Sequence, residues 1–114
     1  MRTITIISTL LMSAAVGLPQ DRSFTGEIMD SPCANMHSHA RMMQGMNAKD
    51  AVECTRKCVG QMGGKYALFE TATQKAYQLD NQEQAASFAG KKVSVKGILD
   101  ASGKTIHVES IGAQ

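Results

Sequence analysis

The segment from Asp30 to Gly63 concentrates the side chains that could do chemistry. It contains all 3 cysteines of the chain, two of its 3 histidines and five of its 8 methionines. Thiolate, thioether and imidazole groups are ligands that proteins use for zinc and Cu(I). The sequence therefore predicts a site in this segment, and it leaves open what the site acts on.

The spacing of the cysteines restricts how they can pair. Cys54 and Cys58 stand four residues apart in the best helix pattern of the chain, so their Cβ atoms are expected about 5 to 6 Å apart on one helix face. A disulfide needs about 3.5 to 4.5 Å between these atoms, so a bridge between the two would distort the helix. Cys33 and His37 have the same spacing in a shorter segment, which can fold back toward the helix.

A closed metal site is the first of three interpretations of these residues. Three thiolates and one imidazole form a common tetrahedral zinc site, which here would use Cys33, His37, Cys54 and Cys58. Five methionines and His39 extend the interpretation to Cu(I), which thioethers and imidazoles bind. The same methionines could instead fill an irregular core under a loop. These methionines are Met36, Met42, Met43, Met46 and Met62.

A disulfide between Cys33 and either Cys54 or Cys58 is the second interpretation. Such a bridge would staple the helical segment to the rest of a small exported domain. Because the count of cysteines is odd, one thiol would remain for a metal, a partner or redox chemistry.

A redox-active pair of Cys54 and Cys58 is the third interpretation, and it would make the chain a periplasmic thiol-disulfide redox protein. This chemistry needs an exposed thiol of low pKa. The pair lies late in its predicted helix, where the negative end of the helix dipole disfavours a thiolate, although Arg56 and Lys57 partly offset that effect.

The first 20 residues predict a secretory signal peptide. Arg2 precedes an apolar run from Ile4 to Leu18, in which Ala15 and Gly17 offer small residues at a spacing that suits signal peptidase. The run of about 15 residues is short for a membrane span, which needs about 20. We therefore expect an exported protein, periplasmic or secreted, with no membrane anchor in its mature chain.

Residues 21–114 predict a single small domain of near-neutral charge. Loss of Arg2 reduces the 12 basic residues to 11, against 10 acidic residues, so the domain has no strong electrostatic attraction for polyanions. It has no Trp, 3 Phe and 2 Tyr. A core this small gives marginal stability, to which a cross-link or a metal would add.

Period-two alternation outside the cysteine segment predicts a mainly β fold. We expect a small five-stranded barrel like the oligonucleotide/oligosaccharide-binding (OB) barrel. A cysteine-containing helical insertion at residues 31–64 would join strands one and two at the barrel rim, and a short helix would join strands three and four. Gly26 and Gly97 fall where the strands must coil. The expected strands are 23–30, 65–71, 75–79, 91–100 and 105–111, and the expected helices are a short one near 36–44 broken by Gly45, one at 48–61 capped by Asn47, and one capped by Asp80 or Asn81.

Motifs of common enzyme classes are missing from the sequence. There is no G-x-S-x-G elbow, no phosphate loop and no close carboxylate pair. Several lysines could form a basic strand face, but no aromatic platform lies among them, so a nucleic-acid ligand is not expected. We expect a binding or interaction module, rather than an enzyme, that meets an unknown protein or small ligand at the barrel rim.

Several sequence blocks resemble a family of small exported bacterial proteins of unknown function. The blocks are FTGEIMDSPCANMH, ECTRKCV, GGKYAL, YQLD, FAGKKVSVKGILD and TIHVESI, and they extend from Phe24 to Ile111. Their most specific part is the set Asp30, Cys33, His37, Cys54 and Cys58. The resemblance implies a signal peptide and a barrel of this kind, and it implies no activity. In fold alone the chain also looks like periplasmic copper chaperones with five-stranded barrels, which use Met and His beside a Trp that this chain does not have.

Overall fold

The computed structural model describes residues 21–114, which form a mainly β fold with few and short helices. The predicted signal peptide, residues 1–20, lies outside the described residues. Between residues 21 and 114, no helix has the length and apolar character needed to cross a bilayer. The elements in chain order are β1 (Arg22–Asp30), α1 (Ser31–Met36), α2 (Ala40–Met46), α3 (Ala51–Gln61), β2 (Tyr66–Glu70), β3 (Lys75–Leu79), α4 (Gln82–Ala86), β4 (Lys92–Leu99) and β5 (Thr105–Ala113).

The five strands close into a ring in the order β1, β2, β3, β5, β4 and back to β1. Neighbouring strands are antiparallel except β3 and β5, which run parallel. This parallel pair is short: Gln78 pairs with Thr105 and Leu79 with Ile106. The predicted five-stranded, mainly β fold is confirmed. The ring is not a regular barrel, because only two residue pairs join β3 to β5.

Alternation along the strands builds the core inside the ring. On β1, Phe24 and Ile28 are fully buried in this core. The next residue, Met29, has its side chain on the other face of the strand and belongs to a second cluster outside the core. Every buried member of the inner core comes from a strand or from α4. These members are Phe24, Ile28, Leu68, Tyr77, Leu79, Ala85, Val93, Val95, Ile106 and Ile111. The inner core is thus assembled without side chains of the helical insertion.

Two glycines lie where neighbouring strands approach closely. A Cβ atom on Gly26 would lie 2.1 Å from the carbonyl oxygen of Phe69, and one on Gly97 would lie 2.3 Å from that of His107. Gly97 also lies at a β-bulge, where the register of β4 with β5 shifts after Lys96. Both positions predicted from the sequence as coiling points therefore exclude a side chain for a steric reason.

The insertion contains three helices rather than the two predicted, and α3 ends at Gln61 as predicted whereas the other helix bounds differ. Asn47 ends α2 in the left-handed conformation at φ 53°, which asparagine tolerates, so it does not cap α3. The cap of α3 is Asp50, whose side chain accepts the Glu53 N–H. α3 therefore begins at Ala51 rather than at residue 48. α2 continues through Gly45, because a glycine inside a helix costs only about 1 kcal/mol.

α4 connects β3 to β4 and is tied to β2. Asn81, one of the two predicted caps, accepts the Gln84 N–H. The Gln82 side chain accepts the Tyr66 N–H and donates to the carbonyl oxygens of Tyr66 and Leu79. These hydrogen bonds hold the short helix against the end of the ring at which β1 also ends.

Candidate metal centre

The candidate site begins where β1 meets the insertion. Asp30 is the last residue of β1 and also the N-cap of α1, since its Oδ2 accepts the Cys33 N–H at 3.0 Å. Pro32 lies in the first turn of α1, where its missing N–H would have had no helical partner. This cap holds the Asp30 carboxylate beside the first cysteine.

A sharp turn after α1 separates the two histidines of the insertion. The backbone of His37 is left-handed at φ 59° and ends the helix. The His37 ring is directed to the exposed side and stacks on Phe69 at 5.3 Å between centroids. His39 follows as the N-cap residue of α2, and its side chain is 11% exposed. The turn therefore leaves the His37 side chain at the surface, whereas most of the His39 side chain is buried.

α3 supplies the other two cysteines from one buried face. Cys54 and Cys58 are both fully buried, as their spacing on a helix predicts. The Cys54 thiol hydrogen-bonds with the thiols of both Cys33 and Cys58. The Cys58 thiol also contacts the Asp30 carboxylate. The three predicted cysteines are thus brought together.

Four donor residues converge at one point, from the end of β1, from α1, from the turn before α2 and from α3. An oxygen of Asp30, the Sγ atoms of Cys33 and Cys54 and a ring nitrogen of His39 all lie within 4.8 Å of one another. Donors around a tetrahedral zinc ion lie about 3.3 to 3.8 Å apart, so a modest contraction of this group would produce such a geometry. The group has enough convergent ligands to hold a metal ion.

The donor group overlaps with the set predicted from the sequence but is not identical to it. Cys33 and Cys54 belong to it, and Cys58 contacts it. His37 lies outside it, and His39 and Asp30 take the remaining places. The signal for Asp30 in the sequence is its place before Ser-Pro at the end of a strand, which is typical of a helix N-cap.

Burial controls the protonation of the three thiols. Desolvation raises the pKa of Cys58 to about 12, and the nearby Asp30 carboxylate contributes to the rise. The same two causes raise the pKa of Cys33 well above its ordinary value of 9.0. Desolvation also raises the pKa of Cys54, against the opposing effect of its hydrogen bond with Cys33. These are protonated thiols at neutral pH, and a cation beside them would favour the thiolate.

Two donor atoms of the site are buried and lack a hydrogen-bond partner among the described residues. They are Asp30 Oδ1 and His39 Nδ1. The other ring nitrogen of His39, Nε2, lies 3.1 Å from Glu27 Oε1. When Nε2 donates its proton to Glu27, Nδ1 carries the free lone pair, which is the arrangement of a metal-binding histidine oriented by a carboxylate.

The surroundings of the thiols are apolar and lie on the outer face of the ring. Cys33 and Cys54 pack in a cluster with Met29, Ala67 and Phe69, which alternate along β1 and β2 with inward-facing residues. The site therefore extends from the predicted rim onto the outer wall of the ring.

Two of the five methionines of the insertion fill space beside this cluster. Met42 and Met43 are partly buried against it, which agrees with their interpretation as core filling. Met36 is 43% and Met62 is 58% exposed. The side chain of Met46 lies outside what the structure describes.

In the described part of the chain, the three cysteines are in the thiol form and no disulfide joins them. Of the two bridges predicted from the sequence, the one between Cys33 and Cys54 joins thiols that are in contact. The predicted redox pair Cys54 and Cys58 is fully buried with raised pKa values, whereas a nucleophilic thiol is exposed and has a lowered pKa.

Comparisons with protein-family models, with curated proteins and with solved structures found no match to this chain.

Proposed function

We propose that this chain is a small exported metal-binding module. It holds one divalent cation of borderline softness, such as zinc. Its ligands are Asp30, Cys33, His39 and Cys54. The observation that carries this proposal is that donor atoms from a strand end, two helices and the turn before α2 lie within 4.8 Å of one another. Without a cation, burial of these polar groups would cost free energy that no interaction offsets.

The chemistry of the donor set favours zinc over Cu(I). A carboxylate oxygen is a hard ligand that suits divalent cations, whereas Cu(I) selects thiolates and thioethers. Two thiolates and one carboxylate carry three negative charges. A divalent cation would reduce the buried net charge to one negative charge, and a monovalent cation would leave two, which costs more in an apolar site.

The unpaired atoms of the site support the same proposal. Leaving a buried polar atom without a partner costs about 1 to 3 kcal/mol. Both Asp30 Oδ1 and His39 Nδ1 belong to donor residues, and a cation would satisfy both. Glu27 would act as the positioning residue that orients the His39 ring.

The fold and the localisation belong to the proposal as well. The ring order of the strands, the helix between β3 and β4 and the insertion between β1 and β2 support an OB-like class. The pattern of the first 20 residues supports export. The module binds rather than catalyses, and a protein or small-ligand partner at the rim remains a prediction.

Zinc binding by two histidine variants tests the proposal. The reduced protein should bind one equivalent of zinc in competition with a chromogenic chelator, and its Co(II) form should show a thiolate-to-cobalt charge-transfer band. His39→Ala should weaken binding at least about 100-fold, because loss of a ligand costs more than loss of a residue that orients one. His37→Ala is the matched control, and it should change the affinity less than about threefold, since the exposed His37 ring lies outside the donor group.

Two results would contradict the proposal. One is a reduced wild-type protein without stoichiometric zinc. The other is an equal loss of affinity in His37→Ala and His39→Ala, since this would mean that the donor group is not the binding site.

A further inference from the structure

We propose that oxidation abolishes metal binding at this site, because a Cys33–Cys54 disulfide and a bound cation are alternative states of the same two sulfur atoms. The redox state of one cysteine pair would then regulate metal binding. This inference rests on the proposed function and adds to it the control of the site.

The contacts of Cys54 select the pair. Its thiol hydrogen-bonds with those of Cys33 and Cys58, so it has two neighbours with which it could be oxidised. Cys58 lies one turn further along the same helix, and a bridge over that distance would distort α3. Cys33 lies on α1, a separate element, and its sulfur is at most 4.8 Å from that of Cys54, so a bridge between these two does not have to span one turn of a single helix.

The same disulfide removes half of the donor group. Cys33 and Cys54 are two of the four ligands, and a metal site of this type binds thiolates rather than disulfide sulfur. Asp30 and His39 would remain as two ligands, which is fewer than a structural or catalytic zinc site uses. Cys58 would keep its thiol, which accounts for the odd number of cysteines.

The oxidation step requires a low-molecular-weight disulfide as the oxidant. When the insertion is open, the Cys54 thiol gives up its proton to water and its sulfur attacks one sulfur of that disulfide, and the thiolate that leaves takes up a proton to become the first thiol. The Cys33 thiolate then attacks the mixed disulfide at the Cys54 sulfur and releases the second thiol. Two protein thiols lose two electrons and two protons, and the oxidant gains them as two thiols.

Burial determines when this step can occur. Both sulfurs are fully buried, so the oxidant reaches them before the insertion packs or when it opens locally. α1 and α2 are 6 and 7 residues long, and helices this short do not stay folded without their packing. A bound cation joins the elements of the insertion and opposes this opening, so metal binding should protect the pair from oxidation.

Treatment of the metal-free and zinc-saturated protein with oxidised glutathione tests the inference. The metal-free protein should lose the mass of two hydrogens, keep one alkylatable thiol and yield a Cys33–Cys54 peptide on digestion without reductant. Its zinc affinity should fall at least about 100-fold and recover after reduction. The zinc-saturated protein should keep all three thiols over the same time.

Two serine variants on the same buried face of α3 form a matched pair for the disulfide. Cys58→Ser should still form the Cys33–Cys54 bridge, and Cys54→Ser should form no internal bridge. A bridge that includes Cys58, or an oxidised protein that binds zinc as tightly as the reduced one, would overturn the inference. If the reduced protein binds no zinc, the proposed function fails and control of a metal site fails with it, whereas the peptide map reports the cysteine pairing independently of zinc.

Discussion

Asp30 combines a structural and a chemical position in one side chain. Its Oδ2 caps α1, a task that serine or asparagine performs as well. Neither of those residues would bring a second carboxylate oxygen into a fully buried position, as Asp30 does with Oδ1. A cap alone does not need a charge in an apolar cluster, and this is the reason to regard Asp30 as a ligand.

A second aspartate, Asp80, is a surface carboxylate that is held by contacts with β5. Its Oδ1 accepts the Val108 N–H at 2.8 Å and its Oδ2 contacts His107. Partial burial acts to raise the pKa of Asp80, but these two interactions and a hydrogen bond from the Asn81 N–H outweigh it and lower the pKa below its ordinary value of 3.8. A carboxyl group with a lowered pKa stabilises the folded state above its unfolded-state pKa and loses that contribution as the pH falls through its folded-state pKa.

Asp80→Asn should therefore change how stability depends on pH. At pH 7 the variant should lose about 0.5 to 1 kcal/mol, because a hydrogen bond to a charged acceptor is replaced by one to a neutral acceptor at a partly exposed site. The difference from the wild type should shrink as the pH falls below about 4. Chemical denaturation between pH 2.5 and 7 measures it. Parallel stability curves would show that the charge of Asp80 contributes nothing.

At the scale of the elements, the close contact of β1 with β2 requires a glycine. A methyl group on Gly26 would meet the backbone of Phe69 and Glu70, which cannot rotate away as a side chain can. Gly112 on β5 has no heavy atom within 4 Å of its would-be Cβ. The two positions are a matched pair of strand glycines that differ in the room available for a methyl group.

Gly26→Ala should lower the free energy of unfolding by about 1 to 3 kcal/mol, which is the usual cost of overpacking. Gly112→Ala should change it by less than about 0.5 kcal/mol, as expected for an exposed position. Urea denaturation of both variants measures the contrast. Equal effects would mean that β1 and β2 can separate enough to admit a methyl group.

At the scale of the whole molecule, the protein has two apolar clusters with different tasks. The inner cluster is built by the strands and α4. The outer cluster holds Cys33 and Cys54 between β1, β2 and the insertion. Because the helices of the insertion are short, their stability depends on this outer cluster, and a metal would act on it first.

Zinc should therefore stabilise one part of the reduced protein. At a free zinc concentration of 100 times Kd, amide hydrogen exchange should slow by about 100-fold in residues 31–64 wherever exchange requires local opening of the insertion. Amides of β4 that exchange without that opening should keep their rates. Mass spectrometry of peptic fragments measures both regions, with His39→Ala as the control. A uniform slowing over the ring and the insertion would show that the two clusters unfold together.

The sequence by itself determined the features that depend on local geometry. Alternation with a period of two predicts β3 at Lys75–Leu79, with the bounds that the structure has. The spacing of Cys54 and Cys58 predicts one shared face, because 3.6 residues per turn places residues four apart above one another. The strand glycines were recognisable because they interrupt an alternating pattern.

The tertiary structure decided which of these residues meet. His39 rather than His37 enters the donor group because the left-handed backbone of His37 ends α1, and a left-handed non-glycine residue is too uncommon for the sequence to predict it. The contact of Cys33 with Cys54 depends on how α3 is rotated against β1. Such contacts join residues distant in the sequence, and their geometry is set by packing, which short-range patterns do not encode.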